Sequence, residues 1–102
     1  MKYTPTAVAG AQIVELELRE DERGFFARTF DTTEFAAHGL DAAVAQGNLS
    51  FNHRAGTLRG LHRQVPPHAE GKLVRCTRAR SWTSRWTSGP GRRPSVRTSW
   101  SN

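Results

Sequence analysis

The chain has a single cysteine, Cys76, so no disulfide can form within it. A lone thiol suits a reducing cytoplasm, which is the expected location. No stretch approaches the ~20 consecutive apolar residues of a membrane span. The N-terminal MKYTPTAVAG also lacks the apolar run of a signal peptide, so no membrane partner is expected. Hydrophobic residues make up only 36% of the 102 positions, which bounds the chain to one small domain with a modest core. Acidic residues are missing altogether from residues 77–102.

That last absence explains the net charge of +6. Residues 1–76 hold nine Lys+Arg and nine Asp+Glu and are neutral, while residues 77–102 hold six arginines. A basic chain invites a nucleic-acid reading, with arginine charge and tryptophan stacking acting on single strands. The confinement of the charge to one segment argues against it, and no nucleic-acid partner is expected. That segment, TRARSWTSRWTSGPGRRPSVRTSWSN, carries all three tryptophans and has no Leu, Ile or Phe. It shows neither helical nor strand periodicity, so an irregular, disordered tail is the default reading.

Its composition also matches GC-rich DNA read out of frame. Tryptophan has one codon, TGG, and every threonine codon begins AC. Trp82-Thr83, read one base over, therefore gives an apolar residue followed by Asp, and Trp86-Thr87 gives the same pair. With GC-rich codons elsewhere, residues 79–91 read GAVLDVAVDLRPG, an apolar strand and turn that continues KLVRCTR. The expected organisation is thus a domain portion over 1–78 and an out-of-frame tail over 79–102. The plainer alternative is a genuine basic tail.

Within 1–76, AQIVELEL (11–18) reads as a strand and REDERG (19–24) as a charged turn. GFFARTF (24–30) reads as a second strand. Asp31 and Thr32 are candidate caps for a short helix, TTEFAAHG, with Gly39 closing it. AVAQGNLSFN (43–52), TLRGLHRQ (57–64) and KLVRCTR (72–78) read as three further strands, separated by a turn at HRAG (53–56) and a connection at Pro66-Pro67. Gly60 marks a bulge or a close backbone approach. The expected fold is mainly β: an antiparallel partial jelly roll, cupin-like and about half a barrel, with one short helix and then an irregular tail.

His62 shares a strand face with Gly60 and Gln64. A single histidine on a strand is more often structural, but Arg59, Arg63, Lys72 and Arg75 make a cationic neighbourhood suited to a phosphorylated ligand. Histidine titrates near neutrality and serves as a general base, and a lysine on a neighbouring strand can stabilise a developing oxyanion. Arg63 reads as part of a solvated face. His53, His62 and His68 with Glu70 offer an alternative metal set, without the tight pairing of familiar metal motifs. His38 reads as a surface residue and Cys76 as a buried packing residue. Gln46, Asn48, Ser50 and Asn52 alternate along one segment, facing either solvent or a pocket.

Four motifs, DERGFFARTF, AQGNLSFN, GTLRGLHRQ and PPHAEGKLVRC, together resemble the dTDP-4-dehydrorhamnose 3,5-epimerases, over residues 1–78 and in the right order. The resemblance implies a cupin-type jelly-roll isomerase of deoxysugar-nucleotide biosynthesis that needs no cofactor and no metal. It implies a dTDP-4-keto-6-deoxyhexose substrate. His62 matches the base that removes the C3 and C5 protons, and Lys72 matches the residue that stabilises the ketone oxygen. Arg59 and Arg23 match groups that hold the nucleotide diphosphate and sugar. Gln46 and Asn48 match polar pocket residues, and Phe26 a position near the nucleotide. A homodimer is implied for the full-length family member. Arg28 departs from the glutamate many members have there. The family's acid tyrosine and the carboxylate that orients its base are expected beyond residue 102, so this polypeptide is expected to be an inactive N-terminal fragment. The alternatives are a 3-epimerase of the same substrate class and a non-catalytic metal-binding cupin fragment.

Overall fold

A computed structural model describes residues 1–78, 80–81 and 83. Among these residues five short elements follow one another: β1 (Lys2–Pro5), β2 (Gln12–Glu15), β3 (Arg19–Asp21), β4 (Gly24–Phe26) and α1 (Thr32–Ala37). The strands form two antiparallel two-stranded sheets, β1-β2 and β3-β4, neither of them closed. The expected class of antiparallel strands with one short helix is therefore what the chain adopts. The chain divides into two compact units, one of Met1–Ala42 with the segment from Arg75, the other of Ala43–Val74.

In the first unit, β1 and β2 pair from Lys2↔Glu15 to Pro5↔Gln12. Proline has no N–H to give a ladder and sits here at the strand's end, where that loss is tolerated. The loop between the strands is tied by Thr6, whose amide donates to the Ala11 carbonyl at 3.1 Å and whose hydroxyl donates to it at 3.0 Å. This turn places Val8 and Ala11 inside, and with Phe35 they are the buried apolar residues among those described. Strands β3 and β4 form a hairpin in which Asp21 faces Gly24 across Glu22-Arg23. The charged segment expected to be a turn is thus partly strand. The expected strand over 24–30 stops at Phe26.

The helix follows its sequence signals closely. Asp31 is extended (φ −150°, ψ 120°), and its carboxylate accepts from the Thr33 amide at 2.9 Å and the Glu34 amide at 3.0 Å. These are two of the amides a helix start leaves without carbonyl partners. At the other end the Gly39 amide donates to the Ala36 carbonyl at 3.1 Å and the Leu40 amide to the Phe35 carbonyl at 2.9 Å. This pair of bonds needs a left-handed residue after the cap, and Gly39 has φ +70°. Phe35 packs edge-on to Phe30 (4.8 Å) and Tyr3 (6.0 Å), so the helix closes over the first sheet.

In the second unit, the strands expected over 43–52 and 57–64 do not form, and neither does that over 72–78 at its edge. Every residue from 43 to 74 is exposed. Alternating side chains define a buried face only where a second layer or a ladder partner covers it. The turn expected at 53–56 is present, and the connection expected at Pro66-Pro67 takes the form of a turn; both depend on local backbone preference and not on a partner strand. Val44, Leu49, Phe51, Leu58, Leu61, Val65, Leu73 and Val74 are all exposed large apolar residues of this unit.

Candidate functional site

The seven candidate residues fall in both units. Arg23 and Phe26 belong to the first; Gln46, Asn48, Arg59, His62 and Lys72 belong to the second.

Arg23 is set by the hairpin turn. Its amide donates to Asp21 Oδ1 at 2.9 Å, and its guanidinium donates to Asp21 Oδ2 from Nη2 at 2.5 Å and from Nε at 3.2 Å. The guanidinium holds the Asp21 carboxyl below its ordinary range, helped by the Arg23 amide. Asp21 in turn makes the guanidinium harder to deprotonate. The fork is thereby oriented before any ligand arrives. Phe26 ends β4 with its ring exposed. It lines a cleft of about 340 Å³ together with Met1, Glu17, Arg19, Arg28 and Glu34. The Met1 ammonium meets Glu17 Oε2 at 2.6 Å and Glu34 Oε2 at 3.2 Å. Its pKa is raised, chiefly by the hydrogen bond to Glu17, whose own carboxyl is correspondingly lowered.

Arg28, which departs from the family pattern, has a local partner. Its Nη1 donates to Asp31 Oδ2 at 2.9 Å, so it braces the carboxylate that caps α1. Nothing in the sequence motif pointed to this, although an i,i+3 Arg–Asp pair ahead of a helix is a recognisable signal.

In the second unit Arg59 is held by the segment that precedes the 53–56 turn. Its Nε donates to Asn52 Oδ1 at 2.6 Å and its Nη2 to the Phe51 carbonyl at 3.0 Å. Phe51 stands edge-on to His53 at 5.2 Å. Asn52 therefore orients an arginine, a role the alternating polar pattern alone did not reveal. Gln46 and Asn48 are exposed and lie outside any helix or strand. Gly60, two residues before His62, has φ +118°, a region that side chains other than glycine's seldom enter. The backbone reaches His62 through that residue, and an added Cβ there would stand 3.5 Å from the His62 amide nitrogen. His62 itself is exposed.

Lys72 Nζ lies 3.0 Å from Glu70 Oε1. Among the described residues no three His, Cys, Asp or Glu side chains converge as a metal site. His38 is exposed as expected, but its ring stacks on Tyr3 at 3.8 Å. Cys76 is half-buried, not fully buried as its apolar neighbours suggested, and its thiol lies 3.1 Å from the Arg78 carbonyl. The reframed segment 79–91 and the expected tail over 79–102 lie almost wholly outside the described residues.

Residues 5–84 match the family described as dTDP-4-dehydrorhamnose 3,5-epimerase. A protein of that name from Sinorhizobium fredii is 37% identical over 78 residues, covering 76% of this chain and 40% of the relative. One from Methanothermobacter thermautotrophicus is 43% identical over 79 residues, with the same two coverages. A dTDP-4-dehydrorhamnose 3-epimerase from Streptomyces niveus is 35% identical over 79 residues, covering 76% of this chain and 38% of the relative. The chain thus spans about 40% of the length of the curated relatives it matches. No solved structure matches. Among the described residues no helix is long and apolar enough to cross a membrane.

Proposed function

The chain belongs to the dTDP-4-dehydrorhamnose 3,5-epimerase family, and from that membership we propose that it carries the base-bearing part of a sugar-nucleotide epimerase site. The observation that carries this reading is the match over 5–84, which takes in all four motifs at once.

The chemistry is proton removal next to a ketone. A 4-keto group acidifies the C–H bonds at C3 and C5, because the charge left behind spreads into an enolate. His62 is the base that takes each proton. Lys72 donates to the ketone oxygen, where the charge develops. A proton delivered to the opposite face by a separate acid inverts the carbon, and the proton His62 took passes to solvent. Arg59 and Arg23 take the diphosphate of a dTDP-sugar as charge-assisted donors, Phe26 lies against the nucleotide, and Gln46 and Asn48 meet the sugar. Arg23 and Arg59 are already held by Asp21 and by Asn52, which lowers the ordering entropy a ligand must supply. The working enzyme is a cytoplasmic homodimer, and residues 79–102 are read out of frame.

Resequencing codons 76–80 tests the frame, and an unaltered sequence there would overturn that part of the reading. Solvent deuterium incorporation into dTDP-4-keto-6-deoxyglucose tests the chemistry. The 102-residue chain is expected to be silent. The protein read in the restored frame is expected to label two carbons, and its His62→Ala variant none. Label that survives His62→Ala refutes the assignment of the base. A second reading, epimerisation at C3 alone, is favoured by the similarity to the Streptomyces niveus 3-epimerase; it predicts one labelled carbon.

A further inference from the structure

A lysine that serves a developing oxyanion must have its ammonium directed before the charge appears. Its four-carbon stem works against this, with about 2 kcal/mol of rotamer entropy to lose. The chain has two lysines, and their surroundings differ. Lys2 Nζ stands 3.7 Å from Glu15, an ion pair beyond hydrogen-bond distance. Lys72 Nζ stands 3.0 Å from Glu70 Oε1, within it.

Glu70 is engaged at its other oxygen as well. With its amide nitrogen turned toward Glu70, the orientation that satisfies both partners, Gln64 donates to Oε2 at 2.9 Å and also faces Oε1. The chain between them doubles back through the Pro66-Pro67 turn, closed by the His68 amide donating to the Val65 carbonyl at 2.9 Å. Lys72 follows Glu70 by two, and Gln64 follows His62 by two. The Gln64–Glu70 contact therefore ties the segment that bears the histidine to the segment that bears the lysine.

We infer that Glu70, steadied by Gln64, is a positioning residue for the Lys72 ammonium. The inference rests on the reading of Lys72 as the group that meets the ketone oxygen. An ammonium has three donors, so Lys72 keeps its ion pair with Glu70 while an N–H points at the substrate. The carboxylate fixes the direction of the charge and takes no part in proton transfer.

The test is made on the whole 102-residue chain, labelled with 13C at lysine Cε, by relaxation of the two Cε signals. Lys72 is expected to be more ordered than Lys2. Glu70→Ala is expected to bring Lys72 down to the level of Lys2, and Gln64→Ala to bring it part of the way. The backbone amides of Leu61, Val65 and Leu73 are expected to stay where they are in both variants. An unchanged Lys72 signal in Glu70→Ala overturns the inference. Amide shifts spread over 57–74 as large as those at Lys72 also overturn it, because they assign Glu70 to the loop's structure. No substrate enters this measurement, so absence of deuterium label with the protein read in the restored frame refutes the proposed chemistry and leaves the positioning result intact.

Discussion

Replacing Phe35 by alanine removes the centre of the first unit. The ring is 4% exposed and meets Phe30 at 4.8 Å and Tyr3 at 6.0 Å. Truncating a buried phenylalanine costs about 3–5 kcal/mol. Alanine is the better helix former, but that returns at most ~0.7 kcal/mol. At typical stabilities per residue, the 42 residues of Met1–Ala42 hold roughly 2–6 kcal/mol in all. The loss is therefore comparable to the whole, and the sheet β1-β2 and helix α1 should be lost together. The assay is a urea titration of the full chain followed by amide resonances. Thr33 and Glu34 report the helix cap, and Thr6 reports the loop that links the strands. Phe51→Ala is the control, since that ring is 71% exposed and its removal should fall within about 0.5 kcal/mol. Equal effects of the two variants, or a Phe35→Ala chain that keeps the Thr6 and Thr33 signals to the same urea concentration, would refute the assignment of the core.

Other outcomes follow from the local contacts. The Asp31 carboxyl is held below its ordinary 3.8, first by the Glu34 amide and then by Arg28 and the Thr33 amide; its contribution is present above that pH and lost as pH falls through the lower folded value. The Met1 ammonium is raised above 8.0, mainly by Glu17, so its contribution is complete below pH 8.0 and lost as pH rises through the folded value. Tyr3 is raised above 10.0, by burial first and Glu34 second, and its contribution is likewise lost at higher pH. Helix amide signals followed from acid to alkali should thus show a plateau bounded on both sides. Gly60→Ala, at φ +118°, should cost about 1–3 kcal/mol of local backbone strain and move the His62 ring resonances; Gly47→Ala, where no positive φ occurs, should not. Arg28→Glu sets like charges beside the Asp31 cap and should lower helix content slightly, measured by circular dichroism at low salt, with the loss shrinking as salt is added.

The sequence was most informative where the cause of structure is local. Asp31 and Gly39 mark the two ends of α1 because capping is decided within four residues. The 53–56 turn and the Pro66-Pro67 connection were legible for the same reason. Strand β1 was not: KYTP has no alternation and becomes a strand only by pairing with residues 12–15. The opposite error occurred over 43–52 and 57–64, where alternation is present and no partner strand is. For the candidate site, His62, Lys72 and the arginines were found by motif. That Arg23 pairs with Asp21, Arg59 with Asn52 and Lys72 with Glu70 was not, since a polar residue beside a motif carries no mark of which neighbour it will bind.

The openness of Ala43–Val74 has a consequence for handling the protein. A protease cleft accepts extended chain whose main-chain groups are not committed to a ladder and whose side chains point outward. Arg54, Arg59, Arg63 and Lys72 are all exposed outside any ladder, and none precedes a proline. Trypsin should nick here before it opens the laddered hairpin at Arg19 and Arg23. The first cuts would sever the histidine's peptide from the lysine's while the aromatic cluster around Phe35 stays whole. A digestion ladder therefore reads the chain in the order in which its parts are protected.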